Sequence, residues 1–286
     1  MNGIVTRNEP ETEWAEFDRA FYEVKDVTGR PNEPIEGAIN MVSCFGDNAA
    51  AAENPDLIPV DSDGRKATRE RDYFDWDYIC PTHDAYREGL LEMIADCGAA
   101  NRDVRLDDVG FPRDDYCRCD RCQRRFAASE FNDWVAWRTA VITEFVAAAR
   151  ERVPGRLYVT LYPDPYPGHL AERAGIDLDG LRSDVDEYVV PLYDLEYGTT
   201  YWLESLARGF RSALGGSYAP AGSDPEPPFS IELYAVDVAV DNLIQAADVA
   251  GTYAKEVFFG YDAAQASAAI RRQGADQQDG KTYRPE

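Results

Sequence analysis

The sequence predicts a single (β/α)8 barrel of the TIM class, and three observations carry that expectation. Short apolar runs rich in β-branched and aromatic residues alternate with longer segments of helical period, the pattern of βα units around a parallel sheet. The 286 residues suit one such barrel and are too many for a small metal module. No internal repeat or linker divides the chain, so one domain is expected over residues 1–273, with a flexible tail over 274–286.

Seven strands are legible: "NGIVT" (2–6), "GAINMVSC" (37–44), "DVRLDDVGF" (103–111), "RLYVTLYP" (156–163), "DEYVVPLYD" (186–194), "FSIELYAV" (229–236) and "EVFFGYD" (256–262). The eighth is expected between residues 55 and 80, so the N-terminal part should be irregular or incomplete. "THDAYREGLLEMIADCGAA" (82–100) sets Tyr86, Leu90, Leu91, Ile94 and Cys97 on one helical stripe. The longest helix is expected from about Asp120 to Val153, and "TTYWLESLARGFRSALGG" and "DNLIQAADVAGTY" complete the set. Two long connections stand out, 45–79 and 215–228; the first ends in "DYFDWDY", whose aromatics predict order.

Acidic residues outnumber basic ones 53 to 29, for a formal net charge of -24 spread along the whole chain. Such a surface repels nucleic acid and anionic membranes, so neither is an expected partner. Lysine is confined to Lys25, Lys66, Lys255 and Lys281, while arginine is plentiful. This balance resembles the halophilic cytoplasmic proteins of salt-accumulating archaea, in which molar salt screens self-repulsion over about 3 Å. The melting temperature is therefore expected to fall as salt is withdrawn from molar levels; a value indifferent to salt would rule this out. "MNGIVTRNEPETEW" carries no basic segment followed by an apolar one, and no window approaches the roughly 18 apolar residues of a spanning helix. A cytoplasmic location is the expectation, and a homo-oligomer is compatible with it.

In a parallel barrel the reactive groups sit where strands end. Four ends carry suitable ones: Asp107 and Asp108; Tyr162 and Asp164; Tyr193, Asp194 and Glu196; and Glu232 with Tyr234. Carboxylates with aromatics at one rim describe a sugar-cleaving site, in which one carboxyl protonates the leaving oxygen and another attacks or activates water. In so acidic a chain each strand-end carboxylate is equally readable as a helix cap or a solvated charge. Glu232 stands apart as a lone acid in an apolar strand.

"YCRCDRCQRRF" (116–126) places Cys117, Cys119 and Cys122 on the loop after the 103–111 strand. Three close thiolates suit tetrahedral zinc, and Cys80, opening the helix before the same strand, is the expected fourth ligand, with His83 as competitor. Four thiolates leave no open position, so the zinc would be structural. Cys44 and Cys97 read as buried small hydrophobes. A redox or zinc-catalytic protein is the third reading, and it requires three protein ligands plus water.

At these residues the chain resembles the catalytic barrel of glycoside hydrolase family 42 β-galactosidases. The matching segments are "CPTHDAYRE" (80–88), "RLDDVG" (105–110), "CRCDRC" (117–122), Phe126 and Trp134. The resemblance implies a zinc held by the four cysteines, an acid/base carboxyl at Asp108, Asp107 in place of the preceding Asn, and a nucleophile at Glu232. The chain departs from the family in having Asp where the acid/base is Glu, which withdraws the carboxyl by one methylene. "LDDVGFP" (106–112) also resembles a broader group of uncharacterised hydrolase-like barrels that share Asp107.

The function these features imply is a glycosidase, β-galactosidase-like in its resemblance, acting on a carbohydrate substrate. Asp108 or Asp107 is the acid, Glu232 the nucleophile or base, and Tyr162, Asp164, Tyr193, Glu196 and Tyr234 contact the sugar. A retaining mechanism needs carboxyls about 5 to 5.5 Å apart, and inversion roughly 6.5 to 9.5 Å. The alternative is a catalytically degenerate barrel that binds carbohydrate or is a structural subunit.

Overall fold

Buried β-branched and aromatic residues with almost no polar alternation mark strands covered on both faces, as in a parallel barrel. The computed structural model describes residues 2–215 and 225–278 and contains eight of them. In chain order these are β1 (Asn2–Thr6), β2 (Arg19–Lys25), β3 (Ile39–Ser43), β4 (Val104–Asp107), β5 (Leu157–Thr160), β6 (Glu187–Pro191), β7 (Phe229–Tyr234) and β8 (Val257–Gly260). They form a closed barrel in the order β1 to β8. The register pairs Val42 with Leu106 and Ser43 with Asp107 between β3 and β4, and Glu232 with Phe258 between β7 and β8.

The strand expected between residues 55 and 80 is instead β2, and the N-terminal part of the barrel is complete. "RAFYEVK" is hidden from hydropathy by Glu23 and Lys25, yet both are only 4% exposed. Lys25 is neutralised inside: its Nζ lies 3.2 Å from Asp47 Oδ2 and donates to the carbonyls of Ser43 (2.8 Å) and Gly46 (2.9 Å). A buried cation is tolerated only with such partners. Residues 55–80 form a 3-10 turn (Pro55–Leu57) and the isolated bridges Val60↔Lys66 and Gly46↔Tyr78. Leu57, Ile58 and Ile79 pack with Ala51 and Tyr86, which orders the long connection.

Among the described residues eight α-helices accompany the strands: α1 (Asn48–Glu53), α2 (Asp84–Ala100), α3 (Asp120–Ala127), α4 (Trp134–Arg150), α5 (His169–Ala174), α6 (Tyr201–Gly215), α7 (Val240–Tyr253) and α8 (Ala263–Gln278). The single helix expected from Asp120 to Val153 is two, α3 and α4. Ser129 Oγ donates to the Phe126 carbonyl at 2.7 Å as α3 ends, and the Asp133 carboxylate accepts from Ala136 N at 2.8 Å as the N-cap of α4. The tail expected from residue 274 begins inside α8; residues 279–286, and 216–224 of the second long connection, lie outside the described residues. Among the described residues no helix is long and apolar enough to cross a membrane.

The chain divides into two compact units, Met1–Tyr22 with Val189–Glu286, and Glu23–Tyr188. Within the second, the fully buried Arg138 of α4 joins the loop that follows β4 to the last turn of α5. Its guanidinium donates to the carbonyls of Glu172 (2.6 Å), Arg113 (2.7 Å), Arg173 (2.8 Å) and Asp114 (3.4 Å). Burial lowers its pKa to about 10. Each stranded carbonyl would cost roughly 1 to 3 kcal/mol, so this arginine fixes the β4 loop against the end of α5.

Candidate active site

The carboxyl ends of β3 and β4 build the first cluster. Backbone pairing runs past the strands, with Cys44 N donating to Asp107 O (2.8 Å) and Phe45 N to Asp108 O (3.2 Å). Asp108 then takes a left-handed φ of 49°, which turns the chain out of the strand and aims the two aspartates differently. Asp107 is held by its surroundings: Oδ1 accepts from Asp108 N at 2.9 Å and Oδ2 lies 3.7 Å from Arg105 Nη2. Arg105, itself buried, donates from Nε to Thr160 Oγ1 at 3.0 Å.

Asp108 Oδ2 accepts a hydrogen bond from Ser43 Oγ. The Asp108 carboxyl keeps slight exposure but is ringed by protein, and this desolvation, followed by the charge of Asp107, pushes its pKa up to about 7. Ser43, Lys25 and Arg105 oppose the shift without cancelling it. Two adjacent carboxyls thus acquire different character, the first ion-paired and the second poised to carry a proton near neutrality.

Sequence reasoning missed Ser43, Lys25, Arg105 and Tyr78 here. Burial, and next the charge of Asp108, raise the Tyr78 hydroxyl, and Tyr78 bridges to Gly46. Its available signal was the aromatic end of the 45–79 connection, and that of Lys25 was the rarity of lysine. Tyr162 follows β5, 47% exposed, with the Arg173 guanidinium 3.7 Å from its ring centre. Asp164 is engaged locally: Oδ2 meets His169 Nδ1 at 3.0 Å and Oδ1 accepts from Tyr166 N at 3.1 Å.

The second cluster belongs to the other unit. Glu232 in β7 has no surface exposure, and its Oε1 accepts from the hydroxyl of Tyr193, which is 45% exposed, so the carboxyl is one hydrogen bond from solvent. Gly260 of β8 makes the room: a Cβ there would stand 3.2 Å from Glu232 Oε1. The strand ends are locked by Tyr197, whose hydroxyl donates to Leu192 O (2.9 Å) and accepts from Tyr234 N (2.8 Å). The rings of Tyr193 and Tyr234 lie 5.5 Å apart. Glu196 is the least integrated of the expected residues; its side chain is exposed, while its backbone is held by N–H donation to Asp194 Oδ1 at 3.0 Å and by Asn242 Nδ2 donating to its carbonyl at 2.8 Å.

The cysteine cluster sits in the same unit as the aspartates. Cys80, Cys117, Cys119 and Cys122 bring their sulfurs within 4.8 Å of one another, three of the residues being buried. Zinc–sulfur bonds of about 2.3 Å in a tetrahedron separate sulfurs by roughly 3.8 Å, so the arrangement fits a four-thiolate metal. Cys80 and Cys122 are 3.4 Å apart, and the buried Thr82 hydroxyl, also missed in the sequence, lies 3.2 Å from one and 3.3 Å from the other. Backbone N–H groups of Cys119 and Cys122 point at Cys117 (3.4 Å) and Cys119 (3.5 Å), as expected around thiolates. His83 is not part of the cluster, and Cys44 and Cys97 are buried away from it.

Fold and site together define a closed (β/α)8 barrel with carboxyl–tyrosine groups at strand ends and a separate four-cysteine centre. No family model matches the chain, and no curated protein matches it. Among solved structures it is similar to the PgaB (BpsB) glycoside hydrolase domain from Bordetella bronchiseptica, with a TM-score of 0.59, 13% identity, and 87% of this chain and 76% of that one covered. Weaker similarities are to a class V chitinase from Pseudomonas fluorescens Pf-5 (TM-score 0.43, 14% identity, 82% and 68% covered) and an alpha-amylase from Lactobacillus plantarum (0.44, 10%, 91% and 70%). At such identities the likeness is one of fold.

Proposed function

We propose that the protein is a glycoside hydrolase in which Asp108 is the general acid and Glu232 the nucleophile or base. The observation that carries this reading is the pair at the end of β4, where burial and the neighbouring Asp107 raise the Asp108 carboxyl to about 7. A group with that pKa is protonated enough at neutral pH to protonate a leaving glycosidic oxygen, and acidic enough to release the proton readily. Asp107 is then a positioning residue that supplies the charge raising its neighbour. Tyr193 orients Glu232 by its hydrogen bond, and Tyr162, Tyr193 and Tyr234 offer ring faces to a sugar. The fold of the PgaB glycoside hydrolase domain is consistent with this chemistry. The family 42 resemblance makes β-galactosides the first substrates to test.

Zinc is the metal the four cysteines suit, with Cys80, Cys117, Cys119 and Cys122 as a closed ligand set. Its contribution is to the fold: Cys117 lies on the segment leading from Asp108, so the centre braces that segment from its far end.

A screen of aryl glycosides in molar salt tests the proposal. Hydrolysis of at least one is expected, with kcat falling as pH rises through about 7 because the acid form of Asp108 is lost. One observation favours a second reading, a barrel that binds saccharide without cleaving it: the shorter Asp108 stands where the resemblance has glutamate. Saccharide binding with no turnover of any glycoside would establish it.

A further inference from the structure

In a chain with 53 acidic and 29 basic residues, a cation without a carboxylate partner is unusual. The segment "RKATRERDY" (65–73) concentrates four basic residues, and it lines a concavity of about 490 Å³ with Arg65, Lys66, Arg71, Tyr73, Glu70 and Asp72 among its walls. Arg65 is committed to Asp61 (2.6 Å) and Asp63 (2.8 Å), and Arg69 pairs with Asp77 (3.7 Å). Among the described residues Lys66 and Arg71 have no carboxylate within ion-pairing distance. Arg71 is nonetheless held in place: Nε donates to the Lys66 carbonyl (3.2 Å) and Nη1 to Tyr73 Oη (3.3 Å). That uses two of its five N–H donors. A third cation without a carboxylate partner, Arg113, lies 4.8 Å from the centre of the Tyr73 ring.

Packed rings lead from this concavity towards the chain beside Asp108, where Tyr78 bridges to Gly46 and the adjacent Phe45 N donates to Asp108 O at 3.2 Å. Tyr73 contacts Phe74 (4.7 Å between centroids), Phe74 contacts Tyr78 (5.1 Å), and the Tyr78 hydroxyl feels the charges of Asp108 and Arg173. Arg113 lies five residues after Asp108 on the loop pinned by Arg138. Arg71 and Arg113 therefore both stand against Tyr73, at the outer end of this run of packed rings.

We infer that this cavity is a subsite for an acidic sugar, so that the substrate is a saccharide chain bearing uronate or sulfate groups; this rests on the glycosidase reading above. A guanidinium with donors to spare matches the planar carboxylate or the sulfate of such a sugar, a lysine adds a point charge, and a tyrosine face takes the ring. Glu70 and Asp72 in the same wall repel an anion that does not place its charge on Arg71 and Lys66. In so acidic a molecule most of the surface repels an anionic chain, and cations without carboxylate partners are where it can make contact.

The test is calorimetric titration of the full chain with four probes: tetragalacturonate, a sulfated galactan tetrasaccharide, neutral galactotetraose and a short single-stranded DNA. At least one acidic saccharide is expected to bind about tenfold or more tightly than the neutral one, the better of the two identifying the anionic group. Lys66→Gln and Arg71→Gln should each erase most of that preference and leave neutral binding unchanged, and the exposed Lys66 provides a variant that folds normally. Equal binding of acidic and neutral saccharides, indifference to both variants, or tighter binding of DNA with the same sensitivity would overturn the inference. Turnover separates the two claims. Cleavage of neutral aryl glycosides without acidic preference removes the subsite alone, whereas variant-sensitive acidic preference without any turnover removes the hydrolase reading and keeps the acidic-sugar site.

Discussion

Glu232→Gln is expected to lower the rate of glycoside hydrolysis by about 10³-fold or more while the protein stays folded, because the amide fills the same space but neither attacks nor accepts a proton. Gly260 keeps the space beside Oε1 open, so the change is close to isosteric, and the Tyr193 hydroxyl can still donate to the amide oxygen. Steady-state kinetics on a responsive aryl glycoside, with a melting curve as control, check it. Unchanged turnover would remove Glu232 from the chemistry.

Asp108→Asn should act differently. Its expected loss is about 10² to 10⁴-fold, and the loss of kcat above pH 7 should vanish with it. The left-handed φ of 49° is one that asparagine tolerates, so the backbone should survive the change. The stability effect has a definite sign. A carboxyl raised from about 3.9 unfolded to about 7 folded contributes stability at low pH that is lost as pH rises through 7. The asparagine variant should therefore gain on the wild type at pH 8, by a few kcal/mol at most, and show no such gain near pH 4.

The second large effect is metal removal. One zinc per chain is expected by elemental analysis, and stripping it, or replacing the buried Cys122 by Ser, should lower the melting temperature by about 10 °C or more. The cost arises because Cys80 precedes α2 while Cys117, Cys119 and Cys122 lie beyond β4, so the centre ties the two ends of that βα unit's surroundings together. Activity should fall with it, because the segment after Asp108 loses its far anchor. A metal-free chain with four titratable thiols and an unchanged melting temperature would refute the brace.

Much of this architecture was legible in the chain. Seven strands stood out as short runs rich in β-branched and aromatic residues, and α2 announced itself by the stripe from Tyr86 to Cys97. The four cysteines were legible for a different reason: thiolate spacing is local chemistry, and Cys80 needed only the order of elements. β2 was not legible, since Glu23 and Lys25 look like surface residues until Asp47 and two carbonyls are seen to receive the lysine. The break between α3 and α4 was missed for a similar reason. The apolar period carries across Phe131, and only the capping bonds of Ser129 and Asp133 show where the helix stops and restarts.

The sequence by itself determined the barrel, the four-cysteine centre and the strand ends on which carboxyls stand, because hydrophobic period and residue spacing are properties of the chain. It left Asp107 and Asp108 as equals. Only the tertiary structure parted them, by setting Arg105 against one and burying the other beside Ser43, since a pKa depends on neighbours that are distant in sequence. The same dependence explains why Lys66 and Arg71 read as ordinary charges in the chain, and are recognisable as cations without carboxylate partners only once Asp61, Asp63 and Asp77 are seen to pair with Arg65 and Arg69.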